Sequence, residues 1–200
     1  LSIALIFFLT SENNAHVDHY SNYNYLEYEL FRNNQLIGFH KYRFNRTGKN
    51  LEIDNEVSFK IVKFGVELYK YYAKGVETYK NGVFSGFSSK TNQNKKEKYV
   101  NITIDPSNKN LIIDGSSFKG KINADTIIGT WWNHEIVQKK SQISAVSGRI
   151  IEQKVQFIGK EEIKIGDKTY KTLKFNFSSS DPSLSKDKKL NTDIWYEENT

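Results

Sequence analysis

The sequence of 200 residues lacks cysteine and methionine entirely. Without thiols the chain has no disulfide framework, no thiolate metal site and no cysteine that could carry a lipid. The fold must therefore be held together by packing.

Arginine is scarce as well, and four residues supply all of it: Arg32, Arg43, Arg46 and Arg149. The net charge of +6 comes mainly from lysines scattered along the chain. Guanidinium groups are favoured for reading phosphates and guanine, so this composition does not indicate nucleic-acid binding. We expect no nucleic-acid partner, and a peripheral contact with an anionic membrane surface instead.

Proline occurs only at Pro106 and Pro182, where loops are expected, and no linker, heptad repeat or low-complexity tract divides the chain. Two hundred residues is an ordinary size for one domain. We therefore expect a single β domain over residues 23–200.

Long apolar runs are rare too, and the exception is LSIALIFFLT at residues 1–10. This run is too short to cross a bilayer, but it has the length of a signal-peptide hydrophobic region, and Ala15 offers a cleavage point after it. The alternative is a buried first strand. We expect residues 1–22 to be a truncated signal peptide with a flexible tail, and the protein to be periplasmic or otherwise exported.

Alternation of apolar and polar residues dominates the rest of the chain, as in LEIDNEVSFKI at residues 51–61 and KTLKFNF at residues 171–177. Such alternation predicts half-buried strands, and turn-forming pairs such as Asn81-Gly82 fall between the runs. We predict an all-β fold of about ten antiparallel strands, with one short helical or irregular excursion between residues 122 and 147. So many strands favour a curved sheet that closes into a barrel or half-barrel, lipocalin-like in architecture, or folds into a sandwich.

Catalytic signatures are absent from the sequence. Ser85 lies in GVFSGFSS without the glycine spacing of a nucleophile elbow, and no phosphate-binding loop is present. His16 and His19 form an HVDH pair in the expected tail, which favours a chance pair over a metal site. Glu161 and Glu162 are adjacent and would point apart on a strand. We predict no catalytic residue, no metal and no cofactor.

Two groups of polar residues are candidates for ligand binding. His40 and Tyr42 share a strand face with apolar residues, so the imidazole should point to the interior, as a ligand anchor or as a core histidine with a satisfied hydrogen bond. Asn92 and Asn94 crowd a strand end, where they would bind a ligand at a cavity mouth or simply build a turn. The lysines that follow could draw an anionic head group to that mouth.

The pair Trp131 and Trp132, followed by Asn133, falls inside the predicted excursion. Near-strand geometry would send the two indoles to different environments, and we expect Trp132 to be the inward one, with Asn133 fixing the bend by hydrogen bonding. The inward indole would be either a wall of a ligand pocket or a hydrophobic plug.

The order of short motifs resembles an uncharacterised bacterial family, domain of unknown function 6134. The similarity rests on YELFRNNQLIGFHKYRF, SSKTNQNKKEKY, WWN, the SG pair at residues 147–148 and DIWYEEN, and it covers nearly all of residues 25–198. The resemblance implies an exported, all-β bacterial protein and no particular activity. Members usually continue past the WYE-type strand, so we expect the domain to lack its last strand.

Three functions remain open. The first is a non-catalytic envelope protein that binds a hydrophobic or amphipathic small molecule, of the lipid or isoprenoid class, inside its curved sheet. The second is an interaction or scaffold protein of the cell envelope without a ligand, and the third is an enzyme of unrecognised class with His40 near its centre. The oligomeric state does not follow from the sequence.

Overall fold

A computed structural model describes residues 20–107 and 109–198. Residues 1–19 of the expected signal and tail, which include Ala15, His16 and His19, lie outside the described residues. The described residues form thirteen strands in two sheets, with a 3₁₀ helix at His134–Gln138. None of their helices is long and apolar enough to span a membrane.

The first sheet is an antiparallel meander in which each strand pairs with the next along the chain. Its strands are β1 (Tyr25–Arg32), β2 (Gln35–Thr47), β3 (Asn50–Lys63), β4 (Val66–Lys80), β5 (Val83–Gln93), β6 (Lys96–Ile104), β7 (Leu111–Gly115) and β8 (Lys119–Ile122).

The second sheet has the order β13-β12-β11-β10-β9 and is antiparallel except for the parallel pair of β9 and β10. Its strands are β9 (Ile127–Ile128), β10 (Ser141–Ile143), β11 (Ile150–Ile165), β12 (Lys168–Ser179) and β13 (Asn191–Glu197).

Tight turns of left-handed backbone join the long hairpins of the first sheet. The central pairs are Asn33-Asn34 between β1 and β2, with φ of 49° and 60°, and Asn81-Gly82 between β4 and β5, with φ of 52° and 76°. Positive φ at both central residues gives the turn a twist that matches the strands, and asparagine and glycine adopt it most easily. The turn chemistry read from the sequence is therefore present in the fold.

The all-β prediction is confirmed, but the closed barrel and the count of about ten strands are wrong. In the described part of the chain, β1 and β8 are the two edges of the first sheet and do not pair with each other. The excursion after β8 covers one face of that sheet instead, and the second sheet follows from it. The apolar face of the first sheet is thus buried by the layer packed on it, so the sheet does not have to close into a barrel to bury that face.

The core lies between the first sheet and the excursion, in two clusters. The first cluster consists of Tyr20, Tyr42, Phe44, Leu51, Ile53, Tyr79 and Trp132. The second consists of Phe87, Val100, Ile102, Leu111, Ile113, Ile128 and Ile143. The alternating residues of β2 to β7 therefore provide one wall of the core, and the excursion provides the other.

Tyr20 belongs to this core, although the sequence predicts a signal and tail over residues 1–22. Its ring is only 7% exposed and stacks on Phe44 with 5.8 Å between the ring centroids. The guanidinium of Arg46 donates hydrogen bonds to the carbonyl oxygens of Tyr20, at 2.5 Å, and Tyr23, at 2.8 Å. The packed structure thus includes residues ahead of the predicted domain boundary at residue 23.

Candidate functional site

A buried carboxyl group, that of Glu77, lies in the middle of the first sheet. In β4 the alternation places Gly75, Glu77 and Tyr79 on one face, and Glu77 pairs with Ile53 on one side and Phe87 on the other. Its side chain is 3% exposed, and its two strand-pairing partners are apolar. A carboxyl group in this setting has lost its hydration and depends on protein partners for compensation.

Three hydrogen-bond donors surround the Glu77 carboxyl. The Tyr79 hydroxyl donates to Oε1 at 2.5 Å, while Thr130 Oγ1 at 3.1 Å and Trp132 Nε1 at 3.0 Å donate to Oε2. No basic side chain of the described residues forms an ion pair with Glu77. The carboxyl is therefore held by neutral donors alone.

Burial raises the pKa of Glu77 above its ordinary value of 4.5, and the donors Trp132, Tyr79 and Thr130 oppose that shift without cancelling it. Burial also raises the pKa values of Tyr79 and Tyr42 well above the ordinary value for tyrosine, which keeps both hydroxyls protonated. The Tyr42 hydroxyl donates to the carbonyl oxygen of Thr130. The Tyr42 hydroxyl thus ties the excursion to the first sheet, while the Tyr79 hydroxyl holds the Glu77 carboxyl from its own strand.

The two tryptophans of the excursion occupy different environments, and Trp132 is the buried one, as predicted. Its indole lies edge-on to Tyr20 and Phe44, with centroids 5.5 Å and 5.8 Å away. Trp131 turns to the second sheet, where its ring meets Phe177 at 5.3 Å. The reason differs from the expected strand alternation, because Trp131 has a left-handed backbone with φ of 68°.

Asn133 fixes the bend after the tryptophans, as predicted. It caps the 3₁₀ helix, and its side-chain oxygen accepts the backbone N–H of Glu135 at 3.0 Å. This cap fixes the start of the short helix, whose Glu135 lines the same cleft as Tyr79 of β4.

An open cleft lies beside these residues, and we call it the Glu77 cleft. Its volume is about 390 Å³. The walls combine apolar residues of β5, β7 and β9 with polar residues of β4 and the excursion: Glu77, Tyr79, Gly82, Val83, Phe84, Leu111, Ala124, Thr126, Ile127, Ile128, Asn133, Glu135 and Lys139. The ammonium of Lys139 pairs with Asp125 at 2.5 Å.

His40 lies near this site but does not line it. Its Nε2 is 2.8 Å from the Asn55 side-chain oxygen, and its ring centroid is 4.4 Å from that of Tyr42. Burial lowers the pKa of His40 below 6.5, and the bond to Asn55 opposes the change. The imidazole lies on the same strand face as Tyr42, as expected. Its Nε2 has a hydrogen-bond partner in the Asn55 side chain.

Asn92 and Asn94 are not brought to the cleft. Asn92 accepts the backbone N–H of Lys95 at 2.9 Å, and Asn94 has a left-handed backbone with φ of 50°, so both build the turn between β5 and β6. Asn92 pairs with Tyr72, five residues before Glu77 on β4, which is about 16 Å along a strand. The turn-building alternative therefore describes these two residues.

Sequence reasoning missed Glu77, the central residue of the site. The available signal was a single acid in GVETY, on the strand face that also carries Gly75 and Tyr79. Its donors Thr130 and Trp132 are 53 and 55 residues away along the chain, so no local pattern connects them to it. Within the described residues there is no group of three histidine or acidic side chains arranged to hold a metal ion.

Comparison with known families agrees with the resemblance drawn from the motifs. The model of the Domain of unknown function (DUF6134) family matches residues 28–200. The chain belongs to the DUF6134 family. Searches of curated proteins and of solved structures returned no match for this DUF6134 chain. The match begins within β1 and includes β2 to β13, so the Glu77 cleft falls inside the DUF6134 region.

Proposed function

We propose that this DUF6134 protein binds an amphipathic small molecule in the Glu77 cleft and does not catalyse a reaction on it. The single observation that supports the proposal is a buried carboxyl without a basic partner at an otherwise largely apolar cleft. Ligand sites in proteins typically combine apolar walls with a few placed polar groups, and their volumes run from about 300 to 1,000 Å³. A cleft of about 390 Å³ suits a small ligand or one end of a longer one.

The hydrogen bonds of Glu77 favour a ligand with an uncharged polar head. Oε2 already accepts two donors, whereas Oε1 accepts only the Tyr79 hydroxyl among the described residues. A neutral carboxylic acid has one O–H to donate, and the raised pKa of Glu77 favours that neutral form. An alcohol or carbonyl head on an apolar chain, as in lipids and isoprenoids, complements this arrangement. An anionic head would face both Glu77 and Glu135 and is disfavoured.

Binding can be tested with farnesol, an isoprenoid alcohol, and intrinsic tryptophan fluorescence as the readout, because the Trp132 indole contacts Glu77 directly. Wild-type fluorescence should change saturably with farnesol. Val83→Glu places a charge on a cleft residue that is 63% exposed, and should weaken binding about tenfold without disturbing the core. Ile165→Glu is the matched control, because Ile165 is 66% exposed and lies on β11, away from the cleft.

The pH dependence of binding tests the role of Glu77 itself. Affinity of the wild type should fall as pH rises from the ordinary glutamate value of 4.5 through the raised pKa of Glu77, because the neutral acid donates to the ligand. Glu77→Gln keeps the shape and a donor, so its affinity should not vary with pH over that range. Absence of any farnesol response, or equal weakening by Val83→Glu and Ile165→Glu, would refute the proposal and favour an interaction protein without a ligand.

A further inference from the structure

An exposed apolar surface occupies the end of the first sheet at which β1 meets β2 and β3 meets β4. We call it the Phe64 tip. Its members are all more than a third exposed: Phe31, Leu36, Val62, Phe64, Val66 and Leu68. The tip and the Glu77 cleft are separated by up to about 36 Å, the length of the eleven residue-to-residue steps of β4 from Val66 to Glu77.

Phe64 lies where three other hairpin turns of this sheet have asparagine. The first left-handed residue is Asn33 between β1 and β2, Asn81 between β4 and β5, and Asn94 between β5 and β6, with φ of 49°, 52° and 50°. Phe64 takes the same conformation with φ of 51°, followed by Gly65 with φ of 77°. Left-handed backbone is unfavourable for a bulky aromatic residue and mild for asparagine.

The fold gains little from this phenylalanine. Its side chain is 94% exposed, and the contact that accompanies it is the ammonium of Lys63, 5.4 Å from the ring centroid. Exposed apolar residues in contiguous patches commonly mark surfaces that bind a partner or a membrane. The choice of Phe64 at a strained, solvent-facing position therefore points to a role outside the folded chain.

The surroundings of the tip are basic. The segments 31–36 and 60–70 contain four basic residues and one acid, Glu67. Arg32, Lys60 and Lys63 line a groove of about 390 Å³ together with Leu36, Val62 and Leu68. No ion pair involves these three basic side chains in the part of the chain that the structure describes.

We propose that the Phe64 tip docks the protein on an anionic phospholipid membrane. Phe64, Val66 and Leu68 enter the boundary between head groups and acyl chains, while Arg32, Lys60 and Lys63 pair with lipid phosphates in the groove beside them. Apolar insertion combined with attraction to anionic lipid is the usual basis of peripheral membrane binding. The charge of the groove complements the lipid phosphates, which is what selects this partner. The inference does not depend on the Glu77 cleft.

Vesicle sedimentation tests the docking directly. Wild type is mixed with vesicles of phosphatidylcholine alone, or of one part phosphatidylglycerol to three parts phosphatidylcholine. Binding should require phosphatidylglycerol and weaken with added salt. Phe64→Asn removes the ring while suiting the left-handed backbone, so the variant should fold and bind about tenfold more weakly. The double variant Lys60→Gln, Lys63→Gln should lose about tenfold as well, whereas Ile165→Ser, which removes an apolar residue of similar exposure to Val66 beside another turn, should bind like wild type.

Three outcomes would overturn the docking proposal. The first is no binding to either vesicle, and the second is equal weakening by Phe64→Asn and Ile165→Ser. The third is self-association in size-exclusion chromatography that Phe64→Asn abolishes, without any vesicle binding, because the tip would then be an interface with a second copy. None of these results bears on farnesol binding, so the two proposals fail separately.

Discussion

Among single residues, Glu77 is subject to two opposing effects on the ionisation of its carboxyl group. Burial penalises its charged form, while three donors from Tyr79, Thr130 and Trp132 favour that form. The desolvation is the larger effect, so the pKa is raised. A group whose pKa differs between the folded and unfolded states makes stability depend on pH.

The first prediction concerns this pH dependence. Because the folded pKa of Glu77 lies above its ordinary value of 4.5, the folded state binds the proton more tightly, and stability is lost as pH rises from 4.5 through the raised pKa. In Glu77→Gln no carboxyl ionises at this position, so the variant does not lose stability in this way as pH rises. The free energy of unfolding of Glu77→Gln relative to wild type, measured by urea titration at several pH values, should therefore increase with pH across this interval. A difference that stays constant would mean that Glu77 ionises equally in both states.

The second prediction compares the two tryptophans. Trp132→Phe removes the N–H that donates to Glu77 Oε2 and shrinks a buried ring, so it should lower the free energy of unfolding by about 2 kcal/mol. Trp131→Phe retains an aromatic ring against Phe177 and should cost less than about 1 kcal/mol. Urea unfolding of the two variants checks the order. Equal losses would contradict the assignment of Trp132 as the member that supports the carboxyl.

At the scale of elements, alternation predicted the strands well because one face of the sheet is buried. The run at residues 51–61 lies within β3, and the run at 171–177 lies within β12. The sequence also predicts the excursion, because the alternation typical of strands is interrupted between residues 122 and 147. Its geometry was not: the left-handed turn at Trp131 and the contact of Trp132 with Glu77 depend on partners from β4. Those partners are distant in sequence, so the local alternation of apolar and polar residues carries no information about them.

The third prediction belongs to the hairpin turns. Phe64→Asn should raise the free energy of unfolding by about 1 kcal/mol, because asparagine tolerates the left-handed backbone that phenylalanine resists. The reciprocal change Asn81→Phe, at a turn with φ of 52°, should lower it by a similar amount. Thermal unfolding of both variants measures the pair. A loss of stability in Phe64→Asn would show that the ring supports the fold, and would weaken the case for a membrane role.

For the whole molecule, the number of strands and their alternation do not determine whether the sheet closes into a barrel. A barrel requires its edge strands to pair, and that depends on twist and register accumulated over all strands. Here the excursion packs on the first sheet through Trp132 and Ile128, and Tyr196 of the second sheet donates to the carbonyl oxygen of Trp131 at 3.2 Å. The layered arrangement leaves a cleft at the end of β4, where the barrel hypothesis expected an enclosed interior.

The fourth prediction concerns export, which rests on the apolar run at residues 1–10. Fractionation of cells producing the natural protein should recover it outside the cytoplasm, shortened at its amino end by signal cleavage. Recovery of the uncleaved chain in the cytosol would contradict this expectation.

We propose that the Glu77 carboxyl, whose pKa is raised by burial, anchors a ligand in its cleft through its neutral form. Carbon-detected NMR of the glutamate carboxyl groups, with Glu77 assigned by its absence in Glu77→Gln, measures both parts at once. We expect a Glu77 resonance that titrates above 4.5 and shifts when farnesol is added, while the signals of glutamates outside the cleft stay in place. A Glu77 signal that titrates at 4.5 or below, and does not respond to farnesol, would contradict it.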